Sequence, residues 1–267
     1  MKKIPLIDNL FSHATTSSWH NISHLMEWDR KNIDSYDYVV TTDPTININK
    51  KIYMWLMESP RITKNYYDYV KNNNLKFDKI FTFSKEILEN YDNSFFTPIG
   101  GCWISEENRK IHLDEKNKIL SMVSSGKMIT EGHLLRKNII DKFNNKFDLY
   151  GFNYKKIDNK IESLKNYMFQ VVVENTKEDY YFTEKIIDCL QTGVIPIYWG
   201  CPSIDKFFDL DGILTFNTLD DLEKILSSLN EELYKTKIKS IIKNFQLSKN
   251  YLIAEDYMIK NYFNESN

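Results

Sequence analysis

Short runs of apolar residues recur along the first third of the chain, separated by polar stretches. They cover residues 36–41, 51–57 and 79–83, and their length and their aromatic and β-branched content are typical of buried strands. Ser84 stands directly before the helical pattern of residues 85–91, where a serine commonly caps a helix. The pattern therefore predicts strands and helices in alternation.

The alternation is more regular in the second half of the chain. Predicted strands cover residues 119–125, 147–151, 168–174, 194–199 and 212–216, and predicted helices cover 133–143, 183–191 and 219–229. Parallel strands joined by helices of about ten residues form right-handed βαβ units. We therefore predict an α/β protein whose sheets are mainly parallel.

The polar stretch 108–118 separates the two halves. It contains no glycine or proline and has no apolar face, which makes it the best linker candidate. We predict an N-terminal α/β domain over residues 1–112 and a C-terminal ligand-binding domain over residues 113–245. The stretch 237–263 carries apolar positions at helical spacing, and residues 246–267 are expected to return as a helix that braces the first domain.

Composition excludes several classes of protein. The 267 residues carry 35 basic and 37 acidic side chains, and a net charge of −2 gives no electrostatic reason to expect nucleic-acid binding. Cys102, Cys189 and Cys201 are too few and too widely spaced for a disulfide framework or a structural zinc site. No apolar run reaches the roughly 18 residues of a membrane span, and the N-terminus lacks the apolar core of a signal peptide. We expect a cytoplasmic protein with no transmembrane segment, and peripheral contact with a membrane is left open.

A polar cluster follows the predicted strand 168–174. Glu174 and Asn175 lie where that strand ends, at the edge where open α/β sheets bind ligands. Thr183 is placed to cap the next helix, with Glu184 and Lys185 in its first turn; free N–H groups and a positive charge there suit a diphosphate. Spacing alone also fits an ordinary capped helix with a solvated lysine, and it favours that simpler interpretation.

A second candidate carboxylate belongs to the first half of the chain. Glu58 follows the predicted buried strand 51–57 and precedes Ser59 and Pro60. Because Pro60 disfavours helix at the residue before it, Glu58 is held where a strand gives way to a loop. Position alone favours a carboxylate that is merely solvated at the end of a strand.

The motifs together resemble those of the α-1,3-fucosyltransferases of glycosyltransferase family 10. The runs YFTEKIID at residues 181–188 and IPIYWGCPS at 195–203 are similar to the family's donor-binding signature. Asn175 matches the Asn of its F-E-N motif, with Val173 in place of Phe. Upstream, the run VSSGKMITEGHLLRKNIIDKF resembles the strand-Ser-loop-Arg-helix element, with Ser124 as the serine and Arg136 as the arginine. The likeness covers residues 119–216, and WLMESP at 55–60 and FTPIGG at 96–101 resemble elements of the first domain.

The resemblance implies a fold, an activity and a set of site residues. The fold is GT-B, with two Rossmann-like domains facing an interdomain cleft. The activity is transfer of fucose from GDP-fucose to a glycan hydroxyl, with inversion, no metal and no further cofactor. Glu58 is implied as the catalytic base, and Arg136 and Lys185 as the cations that neutralise GDP. Asn175, Tyr181, Thr183, Glu184 and Ser124 are implied as further donor-binding residues. The partners are then a nucleotide-sugar donor and a glycan acceptor, expected to be a bacterial or viral surface-polysaccharide or lipopolysaccharide precursor.

Two other functions stay open at this point. One keeps the fold and uses another GDP-deoxysugar; the other is a non-catalytic glycan- or nucleotide-binding protein. Three further features favour structural explanations. Asp209-x-Asp211 has the spacing of a metal-binding DxD but is expected to form a solvated turn. His20 and His24 lack a third metal ligand. His133 precedes Arg136 by one helical turn and is able to approach the donor, although a surface position is the default expectation.

Overall fold

The first half of the chain forms a six-stranded sheet. The structure, a computed structural model, describes residues 1–12, 14–18 and 21–263. The strands are β1 (Lys2–Ile7), β2 (Met26–Asp29), β3 (Tyr38–Thr41), β4 (Lys51–Trp55), β5 (Lys79–Thr82) and β6 (Ser94–Phe96). They lie in the order β2-β1-β3-β4-β5-β6, and every neighbouring pair is parallel. The predicted parallel arrangement is confirmed for this half.

The second half forms a five-stranded parallel sheet. Its strands are β7 (Lys118–Val123), β8 (Asp148–Tyr150), β9 (Tyr167–Val173), β10 (Ile195–Trp199) and β11 (Leu214–Thr215), and their order is β11-β10-β9-β7-β8. Every residue of β9 and β10 is buried, as expected of parallel strands covered on both faces. One apolar cluster includes Phe169 and Ile197, and a second includes Val172 and Tyr198, so the two clusters lie on opposite faces of this sheet.

Helices connect and cover the strands. They are α1 (Lys64–Asn72), α2 (Lys85–Asn90), α3 (Glu131–Phe143), α4 (Glu184–Leu190), α5 (Leu219–Ser228), α6 (Glu231–Thr236), α7 (Ile238–Ser248) and α8 (Ala254–Tyr262). No helix in the described ranges combines the length and the apolar character needed to cross a lipid bilayer.

The predicted strands are all present, with ends that differ by about two residues. The sequence patterns missed β1, β2, β6, α1 and α6. Strands β2 and β6 have only four and three residues, too few to show a period, and β1 contains Pro5. Ser84 occupies the N-cap position of α2, but its side chain makes no capping hydrogen bond, so the predicted cap is wrong in that detail.

The C-terminal helix α8 packs against the first sheet. Ala254, Met258 and Ile259 share an apolar cluster with β1, β3 and β4. The buried carboxylate of Glu255 accepts hydrogen bonds from the backbone N–H and the hydroxyl of Ser17, at 2.6 and 2.9 Å. The chain therefore crosses back to the domain in which it began.

The segment 108–118 is anchored rather than loose. The amine of Lys116 is buried and donates to the carbonyl oxygens of Leu164 (3.1 Å) and Thr192 (3.0 Å), and burial lowers its pKa to about 7. Since both acceptors belong to the second half of the chain, this end of the segment is attached to the second sheet. The domain boundary after residue 112 stays a prediction.

Candidate active site

A cavity of about 880 Å³ lies between the two sheets. Strands β7 and β9 end at it, and Glu58, three residues after the end of β4, also lines it. Open α/β sheets bind ligands at the carboxyl edges of their strands. Its volume falls within the roughly 300–1,000 Å³ range of small-molecule sites. Its walls include all eight side chains that the sequence singled out: Glu58, Ser124, Arg136, Asn175, Tyr181, Thr183, Glu184 and Lys185. One cavity thus joins a carboxylate of the first half to a polar cluster of the second.

The N-terminus of α3 lies directly on the end of β9. The N–H of Gly132 donates to the carbonyl of Asn175 at 3.0 Å, and a Cβ at Gly132 would lie 1.8 Å from the carbonyl oxygen of Glu174. Only glycine permits so close an approach. Arg136, one turn later, donates to the carbonyl of Val173 (3.2 Å) and to Oδ1 of Asn175 (2.7 Å). Two of its five N–H groups thereby hold the guanidinium in place.

The carboxylate of Glu174 organises the start of α4. It is fully buried and accepts from the N–H of Thr183 (2.9 Å) and from the Thr183 hydroxyl (2.7 Å). The amine of Lys185 lies 3.4 Å from the same carboxylate and 2.9 Å from the Thr183 hydroxyl. That hydroxyl also caps α4 by accepting from the N–H of Lys185, which confirms the predicted cap. Glu174 therefore fixes the position of the cation at the cavity wall.

Sequence reasoning noted Glu174 at the strand end but did not include it among the site residues. The family motif pointed to its neighbour Asn175. The contacts of Glu174 with Thr183 and Lys185 form only when the loop before α4 folds back onto the end of β9. Because Thr183 already uses its hydroxyl three times, we propose that it positions α4 rather than binding a ligand. Ser124 likewise donates its hydroxyl to the carbonyl of Ser125 at 3.2 Å.

Glu174→Gln is expected to destabilise the fold by about 1–3 kcal/mol, because an amide N–H₂ would face donors from Thr183 and Lys185. Urea unfolding of the variant and the wild type measures the difference. Glu223→Gln is the matched control, since Glu223 is an exposed carboxylate paired with Lys142 at 2.8 Å and should change stability little. Equal unfolding midpoints for Glu174→Gln and the wild type would show that the buried carboxylate does not hold α4.

Glu58 approaches the cavity from the first half of the chain. Its backbone carbonyl accepts from the Tyr67 hydroxyl at 2.8 Å, and the next residue, Ser59, lies 3.2 Å from the Thr176 hydroxyl across the cleft. The Oε2 atom of Glu58 is buried and has no hydrogen-bond partner within the described ranges. Burial raises the pKa of Glu58 above its usual value, while Lys185 opposes the shift from the other side of the cavity. Glu58 thus lines the cavity with a carboxylate that keeps capacity to accept a proton.

Glu184 lies in the opposite electrostatic situation. Burial would raise its pKa, but Lys185 and Lys160 together lower it below the usual value. The amine of Lys185 lies 3.3 Å from its Oε1. Glu184 therefore remains ionised and can only accept hydrogen bonds, whereas Glu58 is the better proton acceptor. Carboxylates whose surroundings move their pKa values apart commonly have different roles.

Tyr181 joins the two halves of the chain at the cavity wall. It is 1% exposed, and its ring lies 5.2 Å from that of Phe83, at the end of the first sheet. The residue before it, Tyr180, adopts a left-handed backbone conformation with φ of 64°, which turns the loop sharply before α4.

The other candidates lie elsewhere. Asp209 accepts from the N–H of Asp211 (3.0 Å) and pairs with Lys243 (2.9 Å), as expected of a turn. His20 lies outside the described residues. Over the ranges that the structure describes, no three His, Cys, Asp or Glu side chains come together as a metal site would require.

The chain resembles known proteins at three levels. The profile of the family described as glycosyltransferase family 10 (fucosyltransferase) C-term matches residues 113–263. A fucosyltransferase-like protein of Arabidopsis thaliana is 38% identical over 88 residues, which are 32% of this chain and 17% of that protein. The alpha-(1,3)-fucosyltransferase FucT of Helicobacter pylori is 49% identical over 59 residues, 22% of this chain and 12% of that protein. The matched stretches thus span less than a fifth of these curated relatives.

The structural likeness extends over almost the whole chain. A crystal structure of an alpha1,3-fucosyltransferase with GDP-fucose superposes with a TM-score of 0.61, covering 94% of this chain and 90% of that one at 19% identity. At that identity the likeness establishes the fold. Together with the two parallel sheets that face one cavity, it makes the fold GT-B.

Proposed function

Because this chain belongs to glycosyltransferase family 10, the fucosyltransferase family, we propose that it transfers fucose from GDP-fucose to a hydroxyl of a glycan acceptor. One observation carries the proposal. Glu58 lines a cavity whose other wall holds Arg136 and Lys185, and no described residue forms a hydrogen bond with its Oε2. A base thus faces the cations that a departing nucleoside diphosphate requires.

The reaction we propose is a single displacement with inversion. Glu58 takes the proton from the acceptor hydroxyl. As the proton leaves, the oxygen of that hydroxyl attacks the anomeric carbon on the face opposite the diphosphate. The bond from that carbon to the diphosphate breaks, and GDP leaves with the electron pair. A positioned base of this kind contributes about 10²- to 10⁴-fold to the rate. The pKa of Glu58, raised by burial, strengthens it as a base.

We propose that no metal is needed, since two side chains supply the positive charge. Arg136 keeps three N–H groups beyond its contacts with Val173 and Asn175, and Lys185 stands at the start of α4. Cations held in fixed positions stabilise developing negative charge without reorganising during the reaction. Glu184, held ionised, and Tyr181 would line the nucleotide-sugar pocket, with Glu184 accepting from sugar or ribose hydroxyls.

Both alternatives are separable by experiment. Another GDP-deoxysugar would use the same base and cations, so donor class is better supported than donor identity. A non-catalytic binding protein would gain nothing from a buried carboxylate oxygen without a partner, and it would not release GDP from a GDP-sugar. The proposed acceptor, a surface-polysaccharide or lipopolysaccharide precursor, rests on the family resemblance alone.

GDP and GDP-fucose are expected to stabilise the protein in EDTA. At about 100 times the Kd, the gain in free energy of unfolding is about 2.7 kcal/mol. A thermal-shift series with GDP, UDP, CDP and their sugars measures it. Stabilisation by UDP-sugars alone, or only after addition of Mn²⁺, would contradict the proposed function.

A further inference from the structure

His133 is a buried side chain of the cavity that the proposed reaction leaves without a role. It is the third residue of α3, 6% exposed, and it lines the cavity one helical turn before Arg136. The default expectation of a surface position is therefore wrong, because this face of α3 turns toward the cavity and the end of β9.

The hydrogen bonds of His133 determine where its proton lies. Its Nδ1 accepts from the backbone N–H of Thr130 at 3.1 Å. The Thr130 hydroxyl lies 2.6 Å from the same nitrogen and accepts from the His133 backbone N–H, so its hydrogen is available for Nδ1. A nitrogen that accepts from two donors carries no proton. The neutral ring must then carry its proton on Nε2.

The surroundings keep this ring uncharged. Burial, followed by the charges of Arg136, Lys127 and Lys185, lowers the pKa of His133 to about 4. At neutral pH it is an imidazole that can donate only through Nε2. Within the part of the chain that the structure describes, no group accepts a hydrogen bond from Nε2. Since Thr130 occupies the Nδ1 edge, the Nε2 edge is the one free to meet a ligand.

We propose that His133 donates its Nε2–H to a phosphate oxygen of the nucleotide-sugar donor, beside Arg136 and Lys185. The three cations that lower its pKa, Arg136, Lys127 and Lys185, attract an anion to the same place. A neutral N–H donor fixes the direction of one hydrogen bond to the phosphate without adding to the positive charge of the site. This inference rests on the proposed function, because it names a further contact of the same donor.

Two substitutions separate binding from helix capping. Asparagine at position 133 keeps an acceptor close to where Nδ1 meets Thr130 but removes the Nε2–H. Glutamine reaches the Nε2 position with an amide N–H but loses the acceptor near Thr130. We expect His133→Asn to weaken GDP binding roughly 10- to 150-fold, the effect of one hydrogen bond to a charged group. Guanosine binding and the melting temperature should stay near those of the wild type.

His133→Gln should show the reverse, with GDP affinity close to the wild type and a lower melting temperature. Calorimetric titration with GDP and with guanosine measures each variant. Wild-type GDP affinity in the Asn variant would overturn the proposal. Equal loss of GDP and guanosine binding in both variants would also overturn it, since that pattern belongs to a purely structural histidine.

A measurement on the wild-type protein keeps the proposal testable if the variants fail to fold. In ¹⁵N spectra of the histidine rings at neutral pH, His133 should be protonated on Nε2 alone, and the Nε2 signal should shift when GDP is added. A charged ring in the free protein, or an Nε2 signal unchanged by saturating GDP, would overturn it.

Titration with inorganic diphosphate distinguishes this inference from the proposed function. If the wild type binds inorganic diphosphate but shows no preference for GDP, the proposed function fails. In that case the inference still predicts that His133→Asn weakens binding of inorganic diphosphate. Wild-type affinity of His133→Asn for diphosphate would overturn the inference, whether or not the proposed function holds.

Discussion

Glu58→Gln is expected to lower the turnover by about 10²- to 10⁴-fold while leaving GDP affinity and the melting temperature little changed. The substitution keeps the volume of the side chain and removes its capacity to accept a proton. GDP affinity should survive because the proposed cationic contacts come from α3 and α4, on the other side of the cavity. Turnover is measured as GDP released from GDP-fucose, and calorimetry gives the affinity.

Glu86→Gln is the matched control in the same domain, since Glu86 is exposed and pairs with Lys71 at 2.5 Å. Its turnover should equal that of the wild type. The pH profile gives a second test. Because the pKa of Glu58 is raised, activity should be lost as the pH falls through a value above that of an ordinary glutamate. Near-normal turnover in Glu58→Gln, or parallel loss of turnover and stability, would rule out the base.

Arg136→Ala and Lys185→Ala are each expected to weaken GDP binding by about 2–5 kcal/mol. Each leaves part of the diphosphate charge without a partner, beside side chains that are themselves mostly buried. Guanosine, which carries no phosphate, should bind with nearly unchanged affinity. Calorimetry on variants with verified melting temperatures decides between binding and folding effects.

Lys142→Ala serves as the control for charge, because Lys142 lies in the last turn of α3, is exposed and pairs with Glu223. Its GDP affinity should match the wild type. If both Arg136→Ala and Lys185→Ala also bind GDP normally, the donor site lies elsewhere.

The parts of the fold with a local signal were the parts that the sequence predicted. Strands β9 and β10 are continuous apolar runs, and the N-cap Thr183 precedes a helical pattern, so neighbouring residues alone indicate both. Pro5 and the few residues of β2 removed that signal from the edge of the first sheet.

The site was predictable to a similar extent. Glu58, Asn175, Thr183, Glu184 and Lys185 were found because each follows a strand or lies at the start of a helix, whereas Ser124, Arg136 and Tyr181 were found through the family resemblance. The clamp of Glu174 on Thr183 and Lys185 was not, since its hydrogen bonds join residues that only the folded loop brings together. The burial of His133 was missed for the same reason. A helical pattern does not show which face meets the end of a neighbouring strand.

The cleavage of GDP-fucose in EDTA, followed by NMR, tests the central claim most directly. Water can replace the unidentified acceptor, so no acceptor has to be known. We expect GDP to appear together with free fucose whose first detectable anomer is opposite to that of the donor, and Glu58→Gln to abolish most of this release. Initial release of fucose with the donor's own configuration, or release that requires Mn²⁺, would contradict inverting, metal-independent transfer. Release by the wild type that is no faster than release by Glu58→Gln would contradict the catalytic role of Glu58.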